Sequence, residues 1–159
     1  MSNDVNDWHQ EGQLFIWRYP NARRGWAGWH FTGDPEGCRS IRNLLDRMHG
    51  GDACHRTIKL SPVTEAILSV PNYQFRTDGR FAKLRLEYSP GFPDLLLEPV
   101  DGALVMTVGM PRLRALTAAF SEVEIGLGDF GVPTSSSRKA AAWMFWWMPD
   151  MNYNHGKRL

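Results

Sequence analysis

The residue types that could do chemistry in this chain are few and lie far apart. Residues 126–131, Gly-Leu-Gly-Asp-Phe-Gly, reproduce the glycine spacing of a loop that cradles a dinucleotide pyrophosphate. In such a loop the glycines permit a tight turn and bring backbone N–H groups close to the phosphates. The context is wrong, because that loop must leave a strand and open a helix. Here it follows a helical pattern and runs into Val132 and Pro133. The glycines are read instead as a tight turn entering the last strand. Asp129, Phe130 and Gly131 also match the magnesium-holding tripeptide of protein kinases, but the chain is too short for a kinase and carries no catalytic-loop motif. Asp129 stays a candidate because an acid on a glycine-rich loop is commonly exposed.

Cys38, His49, Cys54 and His55 are the ligand types of a closed zinc site, yet no two cysteines stand two to four residues apart. No metal site and no cofactor are expected. A nucleophilic role for Cys54 or for Ser135, Ser136 or Ser137 needs a histidine and a group to orient it. His30, with Asp34 four residues on, is the best acid/base pair available, and Asp129 could join it in space. These three are the weak catalytic candidates; no catalytic signature joins them, and the chain reads as a non-enzyme.

The densest functional signal is the stretch 17–30, WRYPNARRGWAGWH, in which Arg18, Arg23 and Arg24 alternate with Trp17, Trp26 and Trp29. Tryptophan gives large rigid apolar area and arginine a planar multidentate donor, so both are enriched at binding hot spots. Arg18, Arg23, Arg24, Trp26 and Trp29 are therefore the expected partner-binding residues. Changing Arg24 and Trp26 to alanine is expected to weaken partner binding and spare folding. Trp17 and Trp29 have an alternative place in the core, and Arg23 and Arg24 in a solvated hairpin tip.

These residues must be positioned by hairpins and two helices. QLFIWRY and GWAGWHFTG read as strands joined across a polar loop. Residues 33–52 form the clearest helix, capped by Asp34, opened by Pro35 and ended by Gly50 and Gly51, with Cys38, Ile41, Leu45 and Met48 on one face. RTIKL is a short strand, and SPVTEAIL one or two helical turns capped by its serine. FAKLRLEY alternates, with Ala82, Leu84, Leu86 and Tyr88 opposite Phe81, Lys83, Arg85 and Glu87. Asp101 and Gly102 mark a two-residue hairpin between DLLLEPV and ALVMTVG, and the three strands are expected to run antiparallel in sequence order. Pro99, lacking an N–H, points to an exposed or bulged position. MPRLRALTAAFSEV is a second helix with Leu113, Leu116 and Phe120 inward, and WMFWW a final strand that is apolar on both faces. If nothing in the chain covers its second face, a partner or ligand must.

The expected fold is thus α+β: a single domain with a mostly antiparallel sheet built from hairpins and two main helices packed on one face. Its expected limits are residues 13–149, between an acidic tail 1–12 and a polar tail 150–159. The chain has 159 residues and a formal net charge of +1, which disfavours nucleic acid as a partner. No apolar run approaches the roughly 20 residues that span a bilayer, so no membrane partner is expected. The acidic start resembles no targeting segment, and two cysteines do not make a disulfide framework, which suggests the cytoplasm. The leading expectation is a small protein-binding module of inhibitor, adaptor or immunity type. A small enzyme or small-molecule binder with a pocket between sheet and helices is the alternative, and a nucleic-acid binder the third.

Overall fold

In the computed structural model of the chain, residues 4–19, 28–70, 81–127 and 129–152 are described. Branched and aromatic side chains make β1 (Leu14–Arg18) and β2 (Trp29–Gly33) an antiparallel hairpin, with Leu14 opposite Gly33 and Arg18 opposite Trp29. The last strand, β8 (Ala142–Phe145), runs parallel to β2, and β7 (Phe130–Pro133) pairs antiparallel with the far side of β8. The first sheet therefore has the order β1-β2-β8-β7.

Between β2 and β7 the chain builds a second sheet of the same plan. Here β3 (Cys54–Lys59) pairs antiparallel with β4 (Lys83–Tyr88), β4 runs parallel to β6 (Ala103–Val108), and β5 (Leu95–Val100) closes the order β3-β4-β6-β5. Each sheet is thus two antiparallel hairpins joined by a parallel central pair. The sheets are tied at both ends: Ser61 N donates to Leu14 O at 2.9 Å and Leu95 N donates to Thr134 O at 2.8 Å.

The α+β class, the hairpins and the two main helices agree with the sequence reading, but the strands divide between two sheets rather than one. The expected meander β4-β5-β6 is also replaced: β6 sits between β4 and β5. Pro99 gives the physical reason, since a central strand must donate to both neighbours and Pro has no N–H. β5 therefore takes the edge. The turn after it has Asp101 at φ 50° and Gly102 at φ 81°, the positive pair a tight hairpin requires.

Helices α1 (Pro35–Met48) and α3 (Met110–Glu124) carry the chain from the first sheet to the second and back, and pack on each other. Asp34 caps α1 by accepting from Gly37 N at 2.7 Å. Cys38, Ile41, Leu44, Leu45 and Met48 of α1 and Leu113, Leu116, Ala119, Phe120 and Val123 of α3 are buried. With the inner faces of both sheets they form one core. At its margin the buried Glu124 accepts from Arg42 at 2.8 Å and lies 3.4 Å from Arg39, joining the two helices.

The segment read as an acidic tail is packed on the domain from residue 4 onward: Val5 and Trp8 are buried, and Trp8 Nε1 donates to Ser40 O at 2.8 Å. Gln10 pairs its amide with both Lys59 N and Lys59 O, at 2.8 and 2.7 Å, and so covers part of the β3 edge as a strand would. At the other end Asn152, also buried, accepts from Met148 N at 2.7 Å and donates to Gly33 O at 2.9 Å. The short helix α2 (Glu65–Leu68) is capped by Thr64, which accepts from Ile67 N, and not by Ser61.

Of the expected WMFWW strand, β8 takes residues up to Phe145, and Trp146 and Trp147 follow it. Trp143 and Phe145 point into the main core, while Trp146 belongs to a second cluster on the outer face of the first sheet. That cluster joins Phe15, Trp17 and Tyr19 with Ile67 of α2 and Met148. The chain thus supplies cover for this face from its own segments.

Candidate functional site

His30 sits within that outer cluster and is fully buried. Its ring lies between Trp17, near-parallel at 5.7 Å and 22°, and Trp146, side by side and nearly coplanar at 6.1 Å and 17°, with Tyr19 edge-on at 4.9 Å. Its Nδ1 accepts from Trp146 Nε1 at 2.9 Å, so the lone pair a general base would use at that atom is engaged inside the protein. Asp34 is committed elsewhere: its Oδ1 takes both Gly37 N and Gln13 N, at 2.7 and 2.8 Å. Asp129 lies at the start of β7 with φ 73°, its N–H donated to Phe145 O at 2.8 Å. Partial burial raises its carboxyl pKa, offset in part by a hydrogen bond from Trp147. The His30 ring is held by an indole and the Asp34 carboxylate by a helix start, whereas Asp129 is exposed, with its N–H on the strand edge and its carboxyl taking a hydrogen bond from Trp147.

Of the expected binding residues, Trp29 is 9% exposed and its ring packs against Phe81 at 5.9 Å, with the Arg18 guanidinium over its other side at 4.7 Å. This pair is a packed cation–π contact at the foot of the hairpin. Arg23, Arg24 and Trp26 lie outside the described residues.

Both cysteines are free. Burial raises the Cys38 thiol far above its ordinary range, with Glu124 and Asp34 adding to the effect, and Sγ lies 3.4 Å from Gly33 O. Cys54, half-buried, is raised by burial and then by Asp52. A raised pKa lowers the thiolate fraction at neutral pH. A colorimetric thiol reagent should therefore label Cys54 slowly at pH 7, faster with each step in pH and still without a plateau at the pH where a free thiol has levelled off. Cys38 should react only on unfolding, which Cys38→Ser and Cys54→Ser variants will resolve. Among the described residues no three His, Cys, Asp or Glu side chains are grouped to hold a metal ion.

Three grooves lie along the helices, and the space between α1 and the sheet strands at Leu14, Ile41 and Ile58 is only about 10 Å³. One of about 380 Å³ runs between α1 and α3 and is lined by Asp46, His49, Leu113, Arg114, Thr117 and Ser121. His49 Nε2 there accepts from Arg114 Nε at 3.4 Å. Its volume is at the low end for a small ligand, but Asp46, His49 and Arg114 are solvent-exposed, so a molecule resting there stays wet on one side. A second groove, along Asp7, Glu36 and Arg39, and a third, along Asp4, Asn43 and Gly51, are more polar than the first. None of these three contains His30, Asp34 or Asp129.

The outer face of the second sheet has a different character. Strand alternation aims Leu84, Leu86, Leu97, Leu104 and Met106 inward and leaves three cross-strand rows pointing out. The pairing register sets Leu96 beside Thr107, Glu87 and His55; Glu98 beside Val105, Arg85 and Thr57; and Val100 beside Ala103, with Lys83 beside Lys59. Leu96 is 40% and Val100 46% exposed, and Ala103, Val105 and Thr107 are half-buried. No described element covers these side chains. Arg85 is bridged to Glu87, while Lys59 and Lys83, directly opposed, have no acidic partner among the described residues. The half of this face on β5 and β6 is thus largely aliphatic, and the half on β4 and β3 is polar and net basic.

Sequence reasoning found the outward row Lys83, Arg85 and Glu87, because β4 alternates cleanly. It missed Leu96, Val100 and Val105, because β5 and β6 carry aliphatic residues on both faces and their period is hidden. Beyond the chain itself there is no guide: no protein-family model matches it, and neither a curated protein nor a solved structure is similar to it. No helix among the described residues is long and apolar enough to cross a membrane.

Proposed function

We propose that this chain is a small protein-binding module, working in the cytoplasm, that docks a protein partner on the outer face of its second sheet. The observation that carries the reading is the outward-facing aliphatic group of exposed Leu96 and Val100 with half-buried Val105, flanked by Lys59, Lys83 and Arg85 on the same face. An apolar centre with a polar rim is the usual anatomy of a specific interface. His30 and Asp34 support the same reading, since the one is engaged in packing and the other in capping a helix.

The test is capture from the host's lysate at low and moderate salt by the tagged chain and by its Leu96→Lys/Val105→Lys variant. Leu96→Lys, at an exposed edge-strand position, should change stability by about 0.5 kcal/mol, and Val105→Lys, half-buried on a central strand beside Arg85, by about 1 kcal/mol more, which a thermal melt of each single variant will measure. A stoichiometric partner held by the unmodified chain at moderate salt should bind the variant at least about tenfold more weakly, the loss expected when a buried apolar anchor is replaced by a charge. A partner retained equally by both proteins removes this face from the proposal.

A further inference from the structure

Resting on that docking face, we infer that its occupant is an amphipathic helix of a partner protein, with an aliphatic stripe and carboxylates beside it. Width is the first argument. The aliphatic residues lie on two adjacent strands, β5 and β6, and adjacent strands are about 4.8 Å apart, so the strip is about 10 Å across once side chains are counted. That is the diameter of one α-helix. Its length covers three outward positions on each strand, Leu96 to Val100 and Ala103 to Thr107, or about 14 Å, which is between two and three helical turns. A helix laid on one face of a sheet is also the arrangement that ordinarily buries an apolar sheet face.

Charge supplies the second argument. Lys59 and Lys83 are directly opposed across β3 and β4, an arrangement that destabilises a strand pair unless an anion neutralises it. The register puts Arg85 next to Val105; Arg85 is bridged to Glu87, which lies beside Thr107, so the unbridged cations on the β4 side, among the described residues, are Lys83 and, beyond it, Lys59. A carboxylate on the flank of a docked helix would reach these cations at the margin of the buried area, where opposite charges raise specificity and association rate. Glu98 projects from the strip itself, between Leu96 and Val100 and opposite Val105, and repels carboxylates from the β5 side of a docked helix. The acidic side of the helix is thereby directed towards β4.

The experiment uses the full ¹⁵N-labelled chain and two 18-residue helical peptides with the same leucine stripe, one flanked by glutamate and the other by lysine. The glutamate peptide should shift the amides of Leu96, Val100, Val105, Lys59 and Lys83 and bind at least about tenfold more tightly at low salt, with the preference shrinking as salt rises. A Lys59→Glu/Lys83→Glu variant should reverse the order of the two peptides. Equal binding of both peptides on this face, or a charge-reversed variant that keeps the original preference, overturns the acidic helix and leaves the docking face standing. Shifts confined to other surfaces overturn the inference altogether; the docking face is then judged separately, by capture with the Leu96→Lys/Val105→Lys variant.

Discussion

Replacing Phe145 by alanine should cost the protein about 3–5 kcal/mol, the range for removing a fully buried aromatic side chain. Phe145 is the meeting point of the main core: its ring stacks on Phe31 at 4.9 Å and on Phe130 at 5.7 Å, and takes Phe120 of α3 edge-on at 5.2 Å. Two strands and a helix therefore lose a shared contact at once. The neighbouring rings come from three separate backbone elements, so the cavity has little means of collapsing. Against a total stability of about 5–15 kcal/mol, the loss removes a large part of the margin. Urea unfolding followed by tryptophan fluorescence should show a much lower midpoint with an unchanged slope, whereas Leu96→Ala, on the exposed face, should move the midpoint little. A Phe145→Ala midpoint close to that of the unmodified chain would mean that β8 is not seated as described.

His30→Ala is the second large effect, at about 2–4 kcal/mol, from a cavity between two indoles together with loss of a buried acceptor. The Trp146 indole N–H would no longer have Nδ1 to donate to, and Trp17 would lose its stacking neighbour. His30→Phe separates the two contributions. It keeps a ring between Trp17 and Trp146 and should retain only the hydrogen-bond loss, about 1–2 kcal/mol. Chemical denaturation of both variants is the measurement. Equal costs for Ala and Phe would assign the role of His30 to its hydrogen bond alone, while negligible costs would return it to the candidates for chemistry.

Much of the fold was legible where one physical rule acts alone. Asp34 and Pro35 announce α1, and Asp101 with Gly102 announces the β5–β6 turn, because each motif satisfies a local backbone requirement. The clean alternation of β4 identified its inward leucines for the same reason. What stayed hidden depends on distant pairing. Nothing near β4 in the chain says that its partner is β6, and only Pro99, read as forbidding a central place for β5, hints at the order. The division into two sheets is similarly invisible, since Ser61 meets Leu14 and Leu95 meets Thr134 across long separations. The expected binding stretch is described only in part, since Arg23, Arg24 and Trp26 lie outside the described residues. A cluster of tryptophans and arginines is conspicuous in sequence, yet Trp29 is a core residue covered by Arg18. The plainer Leu96, Val100 and Val105 become notable only when the register places them side by side.

The nested order of the strands has a consequence for how this protein must be made. β1 and β2 leave the ribosome early, but the strand that fills the place between β2 and β7 is β8, the last of the strands described. The second sheet and both long helices are complete in sequence before that gap can close. A nascent chain therefore waits with the inner edge of β2 unpaired and with Phe31 lacking the aromatic neighbour that β8 will bring. Closing it joins residues more than a hundred positions apart, the kind of contact that slows folding because loop entropy is lost before any pairing is gained. Because both sheets and both helices share one core, that core stays incomplete until β8 arrives, and the unpaired edge of β2 is where the chain is then most open to misassembly.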